Sequence, residues 1–133
     1  MIEAMTSTMA NRGPDAGGVW CSVHAAVGHR RLSVIDLEGG EQPMRAALRG
    51  SNSAEAEDEV VLTFSGEVYN FTELRSELTA LGHQFRTHSD TEVVLHAYLQ
   101  WGADCVTRLN GMFAFGIWDE RRQELLLARD RLG

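Results

Sequence analysis

"GMFAFGIWDERRQELLLARD", residues 111–130, consists of two apolar runs on either side of the polar segment ERRQ. A strand that buries one face needs apolar residues, and a short polar connection between two such runs is a hairpin signal. In the first run, large side chains alternate with Ala114 and Gly116, so one face of that strand stays flat enough to admit a close neighbour. The hairpin decides the fold class. Strands paired in antiparallel hairpins, with helices set apart from them along the chain, give an α+β layered domain.

Working upstream, two helical patterns precede the hairpin. Asn70 with Glu73 three residues on reads as a capping box, and Phe71, Leu74, Leu78 and Leu81 then share a face until Gly82. Ser89 with Glu92 repeats the device ahead of Val93, Val94, Ala97, Tyr98 and Trp101, closed by Gly102. Asp90 therefore falls in the first turn of a helix. Before these helices "VVLTF", residues 60–64, reads as a strand covered on both faces that stops at Ser65 and Gly66.

The N-terminal third reads as a helix over residues 2–10 with a Met and Ile face, stopped by Gly13 and Pro14. "GVWCSV" and "AVGHRRLSVID" then form a second hairpin, turning near His24. "NRGPDAGG", residues 11–18, lacks the spacing of a phosphate-cradling loop and reads as a tight turn into the first strand. "SNSAEAEDE", residues 51–59, is polar and aperiodic and reads as a solvated loop.

A chain of 133 residues with 44% hydrophobic and 23% charged residues is one domain's worth with a single core. Its formal charge of −7 argues against nucleic acid or an anionic membrane as partner. No apolar run approaches membrane-spanning length, and the first ten residues lack the pattern of a signal peptide, so a cytoplasmic location is expected. Cys21 and Cys105 form no disulfide framework and read as small buried hydrophobes; neither they nor the five histidines have metal-site spacing, so no metal is expected.

Three places could carry chemistry. A hydroxyl and a flexible backbone amide at Ser65 and Gly66, on the rim of a sheet, could hold an oxyanion, although the pair taken alone favours a plain bulge or turn. Asp90 at a helix start is kept ionised by the free N–H groups there and could grip an ammonium; capping alone also explains it. Arg31 could pair with a carboxylate, or be a solvated strand-end cation.

Taken in order, "RGPDAGG", "GHRRLSVIDLEGGEQPM", "FSGEVYNFTELRSEL", "SDTEVVLHAY", "LNGMFAFGIWD" and "LLLARDRLG" resemble the glutaminase domain of glutamine-dependent asparagine synthases, over nearly the whole chain. The resemblance implies an N-terminal nucleophile hydrolase fold, an αββα sandwich of antiparallel sheets, here incomplete at both termini, with residues 1–133 as a single partial domain. It implies glutamine as ligand, bound through Arg31 at its α-carboxylate and through Glu67 and Asp90 at its α-ammonium. Gly66 N–H, and less firmly Ser65 in place of the family's usual asparagine, would hold the oxyanion. Arg12 and Asp15 would lie near the pocket rim.

In this family a cysteine at the mature N-terminus attacks the glutamine amide, its free α-amine acting as base, and the ammonia passes to a synthetase domain that uses ATP and Mg to activate aspartate. The sequence departs from that pattern: Met1 and Ile2 are followed by Glu3, and no SGGxDS-type loop is present. The expectation is a glutaminase domain needing no cofactor of its own and inactive alone, poorly soluble or oligomeric through uncovered apolar surface, with a homodimer left open. The alternative is a non-catalytic structural or ligand-binding domain, as in relatives of β-lactam synthetase.

Overall fold

A computed structural model describes residues 1–14, 16–31, 41–47 and 58–132. The opening hairpin is present as β5 (Gly111–Asp119) and β6 (Glu124–Arg129), paired antiparallel from Ala114↔Arg129 to Asp119↔Glu124. On the other side of β5 lies β4 (Glu59–Val68), followed by β3 (Met44–Ala47), all antiparallel in the order β3-β4-β5-β6. The N-terminal hairpin, β1 (Ala16–Cys21) with β2 (Ala26–Arg31), forms a separate two-stranded sheet.

Alternation along the strands explains how the layers stack. Val60, Leu62, Phe64 and Val68 of β4 are buried with Phe113, Phe115 and Ile117 of β5. They share a core with Leu74 and Leu78 of α2 (Phe71–Ala80) and Val93, Val94, Ala97 and Tyr98 of α3 (Asp90–Trp101). Burying each large apolar side chain contributes about 1.5–3 kcal/mol, so this one face dominates the stability. The opposite face of β4 turns Thr63 toward His29 of β2, and the other side of β2 packs on α1 (Ile2–Ser7), where Gly28 lies against Thr6. The result is helix, sheet, sheet, helix, an α+β fold with the layers the resemblance implies.

Several local expectations are corrected. The first helix ends at Ser7 rather than residue 10, and its methionines are not a buried face: Thr6 is its buried residue, while Met5 and Met9 are exposed. β4 does not stop at Ser65 but runs through Gly66 and Glu67 to Val68, because β5 is long enough to pair with all of it. Glu59 belongs to β4 and accepts a hydrogen bond from Trp20 Nε1 at 2.9 Å, so it is not part of a solvated loop.

Asn70 does not cap α2 with its side chain; its amide instead spans the chain before β5, donating to Arg108 C=O and accepting from Asn110 N–H, both at 2.9 Å. Leu81, expected on the buried face of α2, is exposed. Ser89 does cap α3, accepting from Glu92 N–H at 3.3 Å, but Glu92 turns its carboxylate to the N–H groups of Arg86 and Thr87. Cys105 is buried as expected, whereas Cys21 is exposed on an uncovered part of β1. The expected continuation of β2 beyond Arg31, the position of Asp15 and the loop over residues 51–57 lie outside the described residues.

Candidate functional site

The site begins with the hydrogen-bond alternation of β4. In an antiparallel ladder, successive residues direct their N–H and C=O groups to opposite neighbours. Tyr69, just past β4, donates its N–H to Asn110 C=O on the β5 side. Phe64 and Val68 direct theirs the other way, toward the edge where β3 has already ended. Among the described residues, side chains take the place of a further strand there. Gln42 Oε1 accepts from Phe64 N–H at 2.6 Å and its Nε2 donates to Phe64 C=O at 2.9 Å, while Asp90 Oδ2 accepts from Val68 N–H at 2.9 Å.

Gly66 lies between those two clamped positions, at a break in the regular strand geometry. Its φ of +121° is a conformation that disfavours any side chain. A Cβ there would point into β5, 2.7 Å from Phe113 Cα and overlapping Met112 C=O. Glycine is thus required by the register, and the reading of Ser65-Gly66 as a terminal turn is set aside: both are strand residues facing a cleft.

That cleft, about 690 Å³, is lined by all five candidate residues: Arg31, Ser65, Gly66, Glu67 and Asp90, together with Arg12. They come from β2, β4 and α3. Arg31 reaches the cleft because the turn over residues 11–14 braces the end of β2: Pro14 bridges to Arg31, and Arg30 Nε donates to Gly13 C=O at 2.9 Å. Gly13 packs so tightly on the Arg30–Arg31 peptide that a Cβ there would lie 2.5 Å from Arg31 N. The turn over residues 11–14 is therefore a support for a cleft residue.

The cleft residues that sequence reasoning missed include Gln42 and His29. Nothing in the sequence sets Gln42 apart, because its role depends on where β3 ends. His29, two residues before Arg31 and hence on the same face of β2, lies 2.8 Å from Thr63 Oγ1 through its Nδ1 and so joins the two sheets. Burial, aided by the Arg31 charge, holds the His29 imidazole below its usual pKa. A shallower hollow of about 460 Å³ lies over Ala114 and Gly116, the flat face expected of β5. Neither cysteine lines either hollow, and burial pushes the Cys105 thiol up to about 11.

Chemically, the cleft brings the guanidinium of Arg31, with those of Arg12 and Arg30, together with the Glu67 and Asp90 carboxylates and the backbone amide of Gly66. This set complements a zwitterionic amino acid whose side chain extends toward the amide.

Comparison with known proteins points the same way. The sequence model of a glutamine amidotransferase domain matches residues 1–133. Asparagine synthetase [glutamine-hydrolyzing] 3 of Bacillus subtilis is 50% identical over 99% of this chain, and a probable asparagine synthetase [glutamine-hydrolyzing] of Dictyostelium discoideum is 37% identical over 98% of it. The chain spans 20% and 22% of those two proteins. Among solved structures, the glutamine phosphoribosylpyrophosphate amidotransferase of B. subtilis superposes with a TM-score of 0.61 at 28% identity, covering 79% of this chain and 23% of that one.

Proposed function

This chain belongs to the glutamine amidotransferase domain family, and from that premise we propose that its cleft binds L-glutamine for hydrolysis of the side-chain amide. Arg31 takes the α-carboxylate, Glu67 and Asp90 take the α-ammonium, and the carboxamide then lies along β4 toward Gly66. As the amide carbon becomes tetrahedral, charge develops on its oxygen, and Gly66 N–H, with Ser65 Oγ as a further donor, stabilises it. The convergence of these five residues from three elements on one cleft carries the reading.

The described residues supply binding and oxyanion stabilisation; neither Cys21 nor Cys105 stands at the cleft. In the whole protein we propose that a cysteine thiol attacks the carboxamide carbon. Ammonia leaves with a proton delivered by the α-amine of that cysteine, and water then cleaves the glutamyl thioester to glutamate. The ammonia would serve ATP- and Mg-dependent amidation of aspartate in a synthetase portion. The exposed position of Cys21, away from the cleft, favours a second reading for residues 1–133 alone, a glutamine-binding domain without turnover.

Titration calorimetry with L-glutamine, alongside an assay of glutamate release, tests both readings. Binding that Arg31→Ala or Glu67→Gln weakens at least tenfold supports the site. Release of glutamate in the same samples supports hydrolysis by this chain, and binding without release supports the second reading. Absence of stereospecific binding by the wild-type chain would overturn the site assignment.

A further inference from the structure

The β3–β4 ladder pairs Met44 with Leu62, and the next outward-facing position along β4 is Phe64. A continuing strand would meet Phe64 with the backbone of residue 42. The Gln42 side-chain amide makes both bonds in its place, at 2.6 and 2.9 Å. Its backbone is displaced toward the other sheet, where the Gln42 carbonyl occupies the space a side chain on Gly18 would need. One residue therefore ties the two sheets together and ends the ladder without leaving the Phe64 peptide unpaired.

The Gly66 amide lies in the peptide unit directly after the one whose carbonyl Gln42 holds. On the far side Asp90 fixes Val68 N–H. Holding both flanking positions leaves little freedom for the peptide plane between them, and an oxyanion donor depends on such fixed aim. We propose that Gln42 is a positioning residue that sets the direction of Gly66 N–H in the cleft. The proposal rests on the reading of that N–H as the group meeting the ligand's carboxamide oxygen.

A carboxyl in place of the amide separates this role from simple packing. In Gln42→Glu the neutral acid can accept from Phe64 N–H and donate to Phe64 C=O, but the carboxylate has lost the donor and sets a charge against the carbonyl. Binding of L-glutamine and of L-norvaline, which keeps the α groups but lacks the carboxamide, is measured by calorimetry at pH 4 and pH 7. The wild-type chain at each pH is the reference, and the Gly66 amide resonance is followed in the same samples.

The expected result is L-glutamine affinity about tenfold weaker than wild type at pH 7, as loss of one good hydrogen bond implies. At pH 4 it recovers to within about twofold, norvaline binding stays at the wild-type level throughout, and the Gly66 resonance shifts as the introduced carboxyl titrates. Gln42→Met, which fills the space without the hydrogen bonds, should reproduce the pH 7 loss at both pH values, and it carries the test should the Gln42→Glu variant fail to fold. Equal weakening of both ligands overturns the positioning role alone. Failure of the wild-type chain to bind L-glutamine overturns the site reading and this proposal with it.

Discussion

Asp90 Oδ2 and the backbone N–H of Val68 are joined by a 2.9 Å hydrogen bond that ties the first turn of α3 to the last residue of β4. Asp90 thus serves two purposes. One oxygen satisfies a backbone donor of a residue that is almost wholly buried, and the rest of the carboxylate faces the cleft beside Glu67.

Substitutions at Asp90 should separate those purposes. Asp90→Ala leaves Val68 N–H without its acceptor and should lower unfolding free energy by about 1–3 kcal/mol. Asp90→Asn keeps an acceptor oxygen and should cost less than about 1 kcal/mol, yet both variants should weaken L-glutamine binding because the charge is gone. Urea denaturation and calorimetry on the two variants check the split; equal stability losses would show that the Val68 bond is not retained by asparagine.

Gly66→Ala should be among the most damaging single changes in the domain. The left-handed backbone conformation and the overlap with Met112 C=O together predict a loss of about 3 kcal/mol or more. Thermal unfolding measures it. An unchanged melting temperature would mean that β4 and β5 can separate there at little cost.

At the far end of the sheets, Glu120 should make stability fall in acid. Burial raises the pKa of its carboxyl, but hydrogen bonds from Trp118, His24 and Ser22 outweigh burial and lower it below the usual carboxylate value. A folded-state pKa below the unfolded one gives stability that is present above the unfolded value and lost as pH falls through the folded one. Denaturation midpoints should therefore drop below about pH 4.5, less steeply in Glu120→Gln.

His29 works in the same direction at higher pH. Its imidazole has a lowered pKa, so between that value and 6.5 the unfolded chain binds the extra proton and the folded one does not. Stability should rise with pH across that window and level off above it. His29→Gln should flatten this slope, as read by urea midpoints at successive pH values; an unaltered slope would assign it to another group.

The two cysteines should differ sharply toward a thiol reagent. Cys21 is exposed, while Cys105 is fully buried with its thiol pushed up to about 11. At pH 8 the native chain should label rapidly at Cys21 alone, and at both after unfolding. Rapid labelling of Cys105 in the native chain would show that the core around α3 opens readily.

The sequence by itself determined what short-range pattern controls. The β5–β6 hairpin follows from two apolar runs around ERRQ, the Ser89 cap from a side chain three residues from the N–H it accepts, and the buried face of α3 from helical spacing. Arg31 and Asp90 were legible as a candidate cation and anion, because charge and hydrogen-bonding capacity belong to the side chain itself, whereas Glu67 entered only through the family resemblance. The tertiary structure alone decided how they are used. Asn70 left the helix it was expected to cap because Asn110 and the Arg108 carbonyl came within its reach from about 40 residues away. Ser65 and Gly66 became strand because β5 paired with them, and Gln42 and Asp90 took up the Phe64 and Val68 amides past the end of β3. The direction of a backbone amide is set by which strand lies beside it, and that neighbour is fixed by contacts far apart in the chain, which no local pattern records.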